Sequence, residues 1–79
     1  SMLSGDNPQV LVEACKALEN QKSREAVPAL VDLILRSVKT LKNNQVREAA
    51  GNALDTITGL NFGTFEGQWK KAMDSGLLQ

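Results

Sequence analysis

Apolar residues recur along this chain at helical spacing in four segments separated by short polar breaks. In the first, Leu11, Ala14, Cys15 and Leu18 fall at i, i+3, i+4 and i+7, a single stripe that Val10 and Ala17 widen. Asp6 or Asn7 is placed to cap it, and Pro8 suits the first helical position, where a missing N–H costs nothing. A helix is predicted over 6–20. The second segment, 24–41, carries Leu30, Leu33, Ile34, Val38 and Leu41, broadened by Val31 and Leu35. So wide an apolar sector implies cover on two sides. Ser23 is its candidate cap. Pro28 would break a hydrogen bond deep in a helix, so a short turn over 24–27 with the main helix starting at Pro28 is preferred to a kink. The third segment, 44–58, follows Lys42-Asn43-Asn44, lines one face with Val46, Ala49, Ala50, Ala53, Leu54 and Ile57, and ends at Gly59. The fourth, 64–75, has Thr64 as its candidate cap and places Phe65, Trp69, Ala72 and Met73 on one face before Gly76 stops it.

Sliding the chain against itself by 36 positions (43 − 7) superimposes Asn7, Gln9, Val10, Ala14, Ala17 and Leu18 on Asn43, Gln45, Val46, Ala50, Ala53 and Leu54. The same shift sets Leu33 on Trp69, so the second and fourth helices are equivalent too. A period of this length is the signature of stacked helix pairs. The small residues let helix backbones approach closely, and each pair leaves an apolar flank for the next to cover. This reading requires Ala14 and Ala50 to face a shared interior.

Ala26-Val27-Pro28-Ala29-Leu30-Val31, followed by Val46-Arg47-Glu48-Ala49-Ala50-Gly51-Asn52-Ala53-Leu54, resembles one HEAT repeat, of the subtype named for phycobilisome lyases. Residues 6–18 resemble the second helix of a preceding unit. Ile57-Thr58-Gly59-Leu60-Asn61-Phe62-Gly63 with Trp69 is similar to an ending found in some bacterial HEAT-like proteins. The resemblance implies an all-α fold, a short α-α superhelix of about four antiparallel helices forming one domain over 1–79. It also implies a charge ladder between repeats, with Arg47 at the Arg position and Asp6 as the Asp. Their counterparts, Leu11 and Lys42, break that pattern. An Asp6–Arg47 pair is one expectation and a solvated Arg47 the other.

Nine basic and nine acidic residues cancel, which argues against the positive field that nucleic acid selects, despite a local group of Lys39, Lys42, Lys70 and Lys71. The apolar stretches fall short of the roughly 20 residues that span a bilayer, and no signal-peptide pattern is visible. Ser1 and Met2 read as an added scar or an original start. One cysteine leaves no internal disulfide and suits a cytoplasmic setting.

Candidate chemistry is sparse. The chain has no histidine, so the commonest general base and metal ligand is missing. Cys15 has no such partner and falls on the predicted inner face, as a small core residue. Glu13, Glu19, Glu25, Asp32, Glu48, Asp55, Glu66 and Asp74 are scattered, mostly opposite the apolar stripes. Gly59 and Gly63 lack the Lys-Ser/Thr of a phosphate loop. Phe62, Phe65 and Trp69 read as core, with Phe62 tucked under the last helix, more than as an exposed aromatic patch.

The expectation is a non-catalytic protein-binding or assembly module with no catalytic residue, cofactor or metal. By the resemblance, a partner protein is held along the face of the second helices, at Gln9, Glu13, Lys16, Gln45, Glu48, Asn52 and Asp55. Two alternatives stand beside it: a homo-oligomeric piece that stacks through uncovered apolar ends, and an accessory fragment of a lyase-like or nucleic-acid-binding HEAT protein.

Overall fold

The computed structural model describes Leu3 and residues 5–78. They form four helices, α1 (Pro8–Gln21), α2 (Val27–Lys39), α3 (Asn44–Thr58) and α4 (Glu66–Asp74), with a 3₁₀ turn, Arg24–Ala26, leading into α2. No strand occurs among the described residues. The chain is all-α, as its apolar periodicity predicts.

The repeated helices start alike. Asn7 accepts from the Gln9 and Val10 amides at 3.0 and 3.4 Å, and Asn43 accepts from the Val46 amide at 3.1 Å. An Asn carboxamide satisfies the otherwise orphaned first-turn N–H groups, so the same residue opens both helices. Their ends also share a device. Lys22 closes α1 at φ 50° and Gly59 closes α3 at φ 75°. At the first, the Lys22 amide reaches the Glu19 carbonyl at 3.1 Å and the Ser23 amide reaches the Leu18 carbonyl at 3.2 Å. That left-handed closure suits Gly59 but strains a lysine.

Helix α2 begins where Pro28 allows. The 3₁₀ turn over Arg24–Ala26 precedes it, and Pro28 occupies its first turn, where the missing N–H has no partner to lose. The 24–41 segment is divided as expected, with the main helix beginning one residue before Pro28, but it stops at Lys39 and not at residue 41, its last carbonyls drawn into a turn that ends with Lys42 at φ 49°. The predicted start of α1 at residue 6 moves to Pro8, because Asn7 is the cap. The predicted 64–75 helix narrows to Glu66–Asp74. Phe65 stands at its N-cap with no side-chain bond, so Thr64 is not the cap.

Packing sets α1 beside α3 and α2 beside α4, while α2 lies against α3 and joins the two pairs. Leu11, Cys15, Leu30, Leu33, Ile34, Val46, Ala53, Leu54 and Trp69 are fully buried where these helices meet. Ala14 and Ala50 are buried as well, and the equivalent Leu33 and Trp69 share the same depth. Two predicted core residues are not in the core. Val10 is 55% exposed and Phe65 is 68% exposed. Among the described residues no helix lies on Val10's side of α1. Phe65, ahead of the first turn of α4, escapes the helical register that would have aligned it with Trp69. Phe62 does tuck in, its ring edge-on to Trp69 with centroids 4.9 Å apart.

Candidate interaction groove

Between α1 and α3 runs a shallow groove of about 440 Å³. Val12, Lys16 and Glu19 form one wall, and Gln45, Glu48, Ala49 and Asn52 form the other. Its floor comes from small and β-branched residues that let the helices lie close. Its rim is amide and charge, with the Glu19 carboxylate tied across to the Thr56 hydroxyl at 3.2 Å. The groove thus sets carboxylates, an ammonium and amides around an apolar floor.

Four of the seven sequence-predicted partner residues, Lys16, Gln45, Glu48 and Asn52, come together here. Gln9 and Glu13 do not. They line a separate hollow on the other flank of α1, beside Val10 and Ala14, although Glu13 stays 3.8 Å from Lys16. Asp55 is turned away from the groove. Its carboxylate accepts from the Phe62 amide at 3.0 Å and from the Gly63 amide at 3.1 Å, so it fastens the loop after α3 and is not an outward-facing group.

Asp55 belongs to a stripe that sequence reasoning missed. Arg47, Gly51 and Asp55 lie at i, i+4 and i+8 on α3, and all three hold the segment that leads into α4. Arg47 donates to the Thr64 carbonyl at 3.1 Å and to the Glu66 carboxylate at 2.9 Å. Gly51 is buried under the Gly63 carbonyl, where any β-carbon would collide with it. The indole of Trp69 donates to that same carbonyl at 2.8 Å. A glycine in mid-helix was the available signal, since it weakens a helix unless something must come close. The expected Asp6–Arg47 ladder is replaced by two separate pairs. Asp6 meets Arg36 at 3.4 Å, and the same guanidinium holds the Leu3 and Gly5 carbonyls at 3.0 Å. Arg47 pairs with Glu66 because the loop brings that carboxylate to it first.

The repeat register gives this stripe its meaning. Moving back 36 residues (47 − 11) turns Arg47, Gly51 and Asp55 into Leu11, Cys15 and Glu19 of α1. There the stripe is closed by the neighbouring helix: Leu11 and Cys15 are buried, and Glu19 reaches Thr56 of α3. On α3 the corresponding space is filled by loop backbone. Charge and a glycine suit carbonyl and amide groups where leucine and cysteine suit another helix.

Cys15 is the single thiol and is buried. Burial first, and the Glu19 carboxylate second, push it up to about 11, so it stays protonated at neutral pH. Among the described residues no group of three His, Cys, Asp or Glu is placed to hold a metal ion. No helix of the described residues is long and apolar enough to cross a membrane. No family model fits the sequence, and no curated protein or solved structure matches it.

Proposed function

We propose that the chain is a HEAT-like helical repeat unit that binds another protein through the α1–α3 groove and performs no chemistry of its own. The observation that carries this reading is the recurrence of one helix 36 residues apart. Both copies have an Asn cap, a buried alanine and a polar outer edge, and they lie side by side. Neighbouring equivalent helices, with the preceding and following helices paired behind them, are the packing unit of an α-α solenoid. In such a stack the parallel outer edges make a continuous surface for a partner. Lys16, Glu48, Gln45 and Asn52 offer mixed charge and amides, which favours selectivity and association rate over raw affinity. A buried, protonated thiol and the sparse chemistry of the side chains fit a binding role better than a catalytic one.

The test is affinity capture from the native source with chemical cross-linking, comparing the natural chain with the Lys16→Glu, Glu48→Lys double variant. Both side chains are exposed, so helicity and Tm stay as they were. A partner cross-linked to α1 and α3 is lost with the variant. An identical set of captured proteins overturns the groove assignment.

A further inference from the structure

Among the described residues, the large hydrophobic side chains left exposed are Val10, Phe65 and Leu77. They sit at the two ends of the helix order. Val10 is on α1, while Phe65 and Leu77 flank α4 at residues 65 and 77. The internal repeat explains why the first is open. Val46, its equivalent on α3, is fully covered because α1 lies beside α3, whereas among the described residues no helix lies on the Val10 side of α1. Around Val10 the surface forms a hollow of about 480 Å³ with Gln9, Glu13 and Ala14. At the other end, the loop held by Arg47, Gly51 and Asp55 closes the space in which another helix would pack against α3. What projects from that closure is Phe65, with Lys71 lining the hollows beside both Phe65 and Leu77. The first end is thus an apolar hollow edged by Glu13, itself 3.8 Å from Lys16, and the other an apolar projection edged by Lys71 and by Glu66, whose carboxylate is taken by Arg47 at 2.9 Å.

We propose that a second copy of this chain docks head to tail, the Phe65 ring of one copy seated against Val10 and Ala14 on α1 of the next, with Lys71 facing Glu13. Apolar surface meets apolar surface, and Lys71, with its neighbour Glu66 already paired to Arg47, is opposite in sign to Glu13, so the match runs from one end to the other. The contact is therefore heterologous, and repeating it gives rings or open chains of copies. One exposed ring and one ion pair make a small interface, so association appears only at high protein concentration. The contact lies apart from the α1–α3 groove, and it stands whether or not that groove binds a partner.

Sedimentation velocity on the natural chain over rising concentration, with Val10→Glu and Phe65→Glu variants run alone and mixed, decides the matter. Both positions are exposed, and unchanged circular dichroism and Tm show that each variant is folded. The natural chain grows past dimer as concentration rises. Each variant alone associates about tenfold more weakly. The equimolar mixture recovers a species that stops at dimer, because it retains one intact Phe65 end and one intact Val10 end. In 1 M salt, where charges more than about 3 Å apart are screened, association of the natural chain weakens. A monomer at every concentration overturns the proposal. So does a dimer that survives Phe65→Glu alone, which would mark a symmetric contact between α1 flanks.

Discussion

Gly51 lies directly beneath the carbonyl of Gly63, so close that a β-carbon at position 51 would overlap the oxygen. Helix α3 therefore carries its least favourable ordinary residue at the point where the loop rests on it. Replacing Gly51 with alanine gains about 1 kcal/mol of helix propensity but forces the loop backbone away. The obstacle is backbone, which yields less readily than a side-chain tip. Gly51→Ala is expected to lower stability by about 2 kcal/mol net in urea denaturation. Gly67→Ala on α4, where nothing lies within 4 Å, is the control and is expected to gain about 0.5 kcal/mol. Equal effects at the two positions would remove the close approach as the reason for Gly51.

Asp55 holds the same loop by charge. Its carboxylate accepts from two successive amides of the loop. Asp55→Ala is expected to cost about 2 kcal/mol, the range for hydrogen bonds to a charged group. The loop also carries the carbonyl that receives the Trp69 indole, and Trp69 is the sole tryptophan. Loosening the loop is therefore expected to shift tryptophan emission to the red in the folded variant. An unchanged emission maximum together with full stability would show that the amides find equivalent partners without Asp55.

Lys22 is strained where it ends α1. A non-glycine residue in the left-handed region pays about 1 kcal/mol that glycine does not. Its side chain is exposed, so little else is lost on removing it. Lys22→Gly is expected to raise stability by about 0.5–1 kcal/mol, a shift of several degrees in Tm for a chain of this size. A lower Tm would mean that the lysine side chain, and not its backbone, matters at this turn.

Cys15 gives the alkaline limb of stability a defined sign. Its thiol has a folded pKa of about 11 against 9.0 for a free thiol. A raised folded value means the unfolded chain loses its proton first. The stabilisation is fully present below pH 9.0, then declines as pH rises toward 11. Up to about 2 kcal/mol is expected to be lost across that window. The measurement is urea denaturation at pH 8 and at pH 10.5 on the natural chain and on Cys15→Ala, which differ only in that side chain. The alanine variant, less stable at pH 8, should show the shallower decline. Parallel declines would exclude the thiol as the cause.

How much of this was legible in the residues can be judged at particular positions. Ala14, Ala50, Leu33 and Trp69 are buried where spacing put them, because a 3.6-residue period fixes which side chains share a face. Gly59 ends α3 as predicted, and Asn7, one of the two candidate caps, opens α1, since capping is a property of a few neighbouring residues; that Asn43 caps α3 came from the structure. Val10 and Phe65 were misplaced for one reason: periodicity says which residues lie together but not whether anything lies opposite them. Asp55 read as an outward carboxylate until the loop was in place. Of the predicted partner surface, Lys16, Gln45, Glu48 and Asn52 share a groove because α1 and α3 are neighbours, a fact no single helix contains.

The sequence by itself determined that this chain is helical, roughly where its four helical segments lie, which faces are apolar and that one helix is written twice. Those are local matters, decided by hydrogen bonds and side-chain spacing within a few turns. Only the tertiary structure decided that Arg47, Gly51 and Asp55 grip a loop while Leu11, Cys15 and Glu19 face a helix. It likewise decided that Asp6 goes to Arg36, and that Val10 and Phe65 stand in water. Each of those outcomes depends on residues distant in sequence competing for the same space. Backbone carbonyls and amides from the 62–66 segment reach α3 first, and they leave charge and glycine as the side chains that fit.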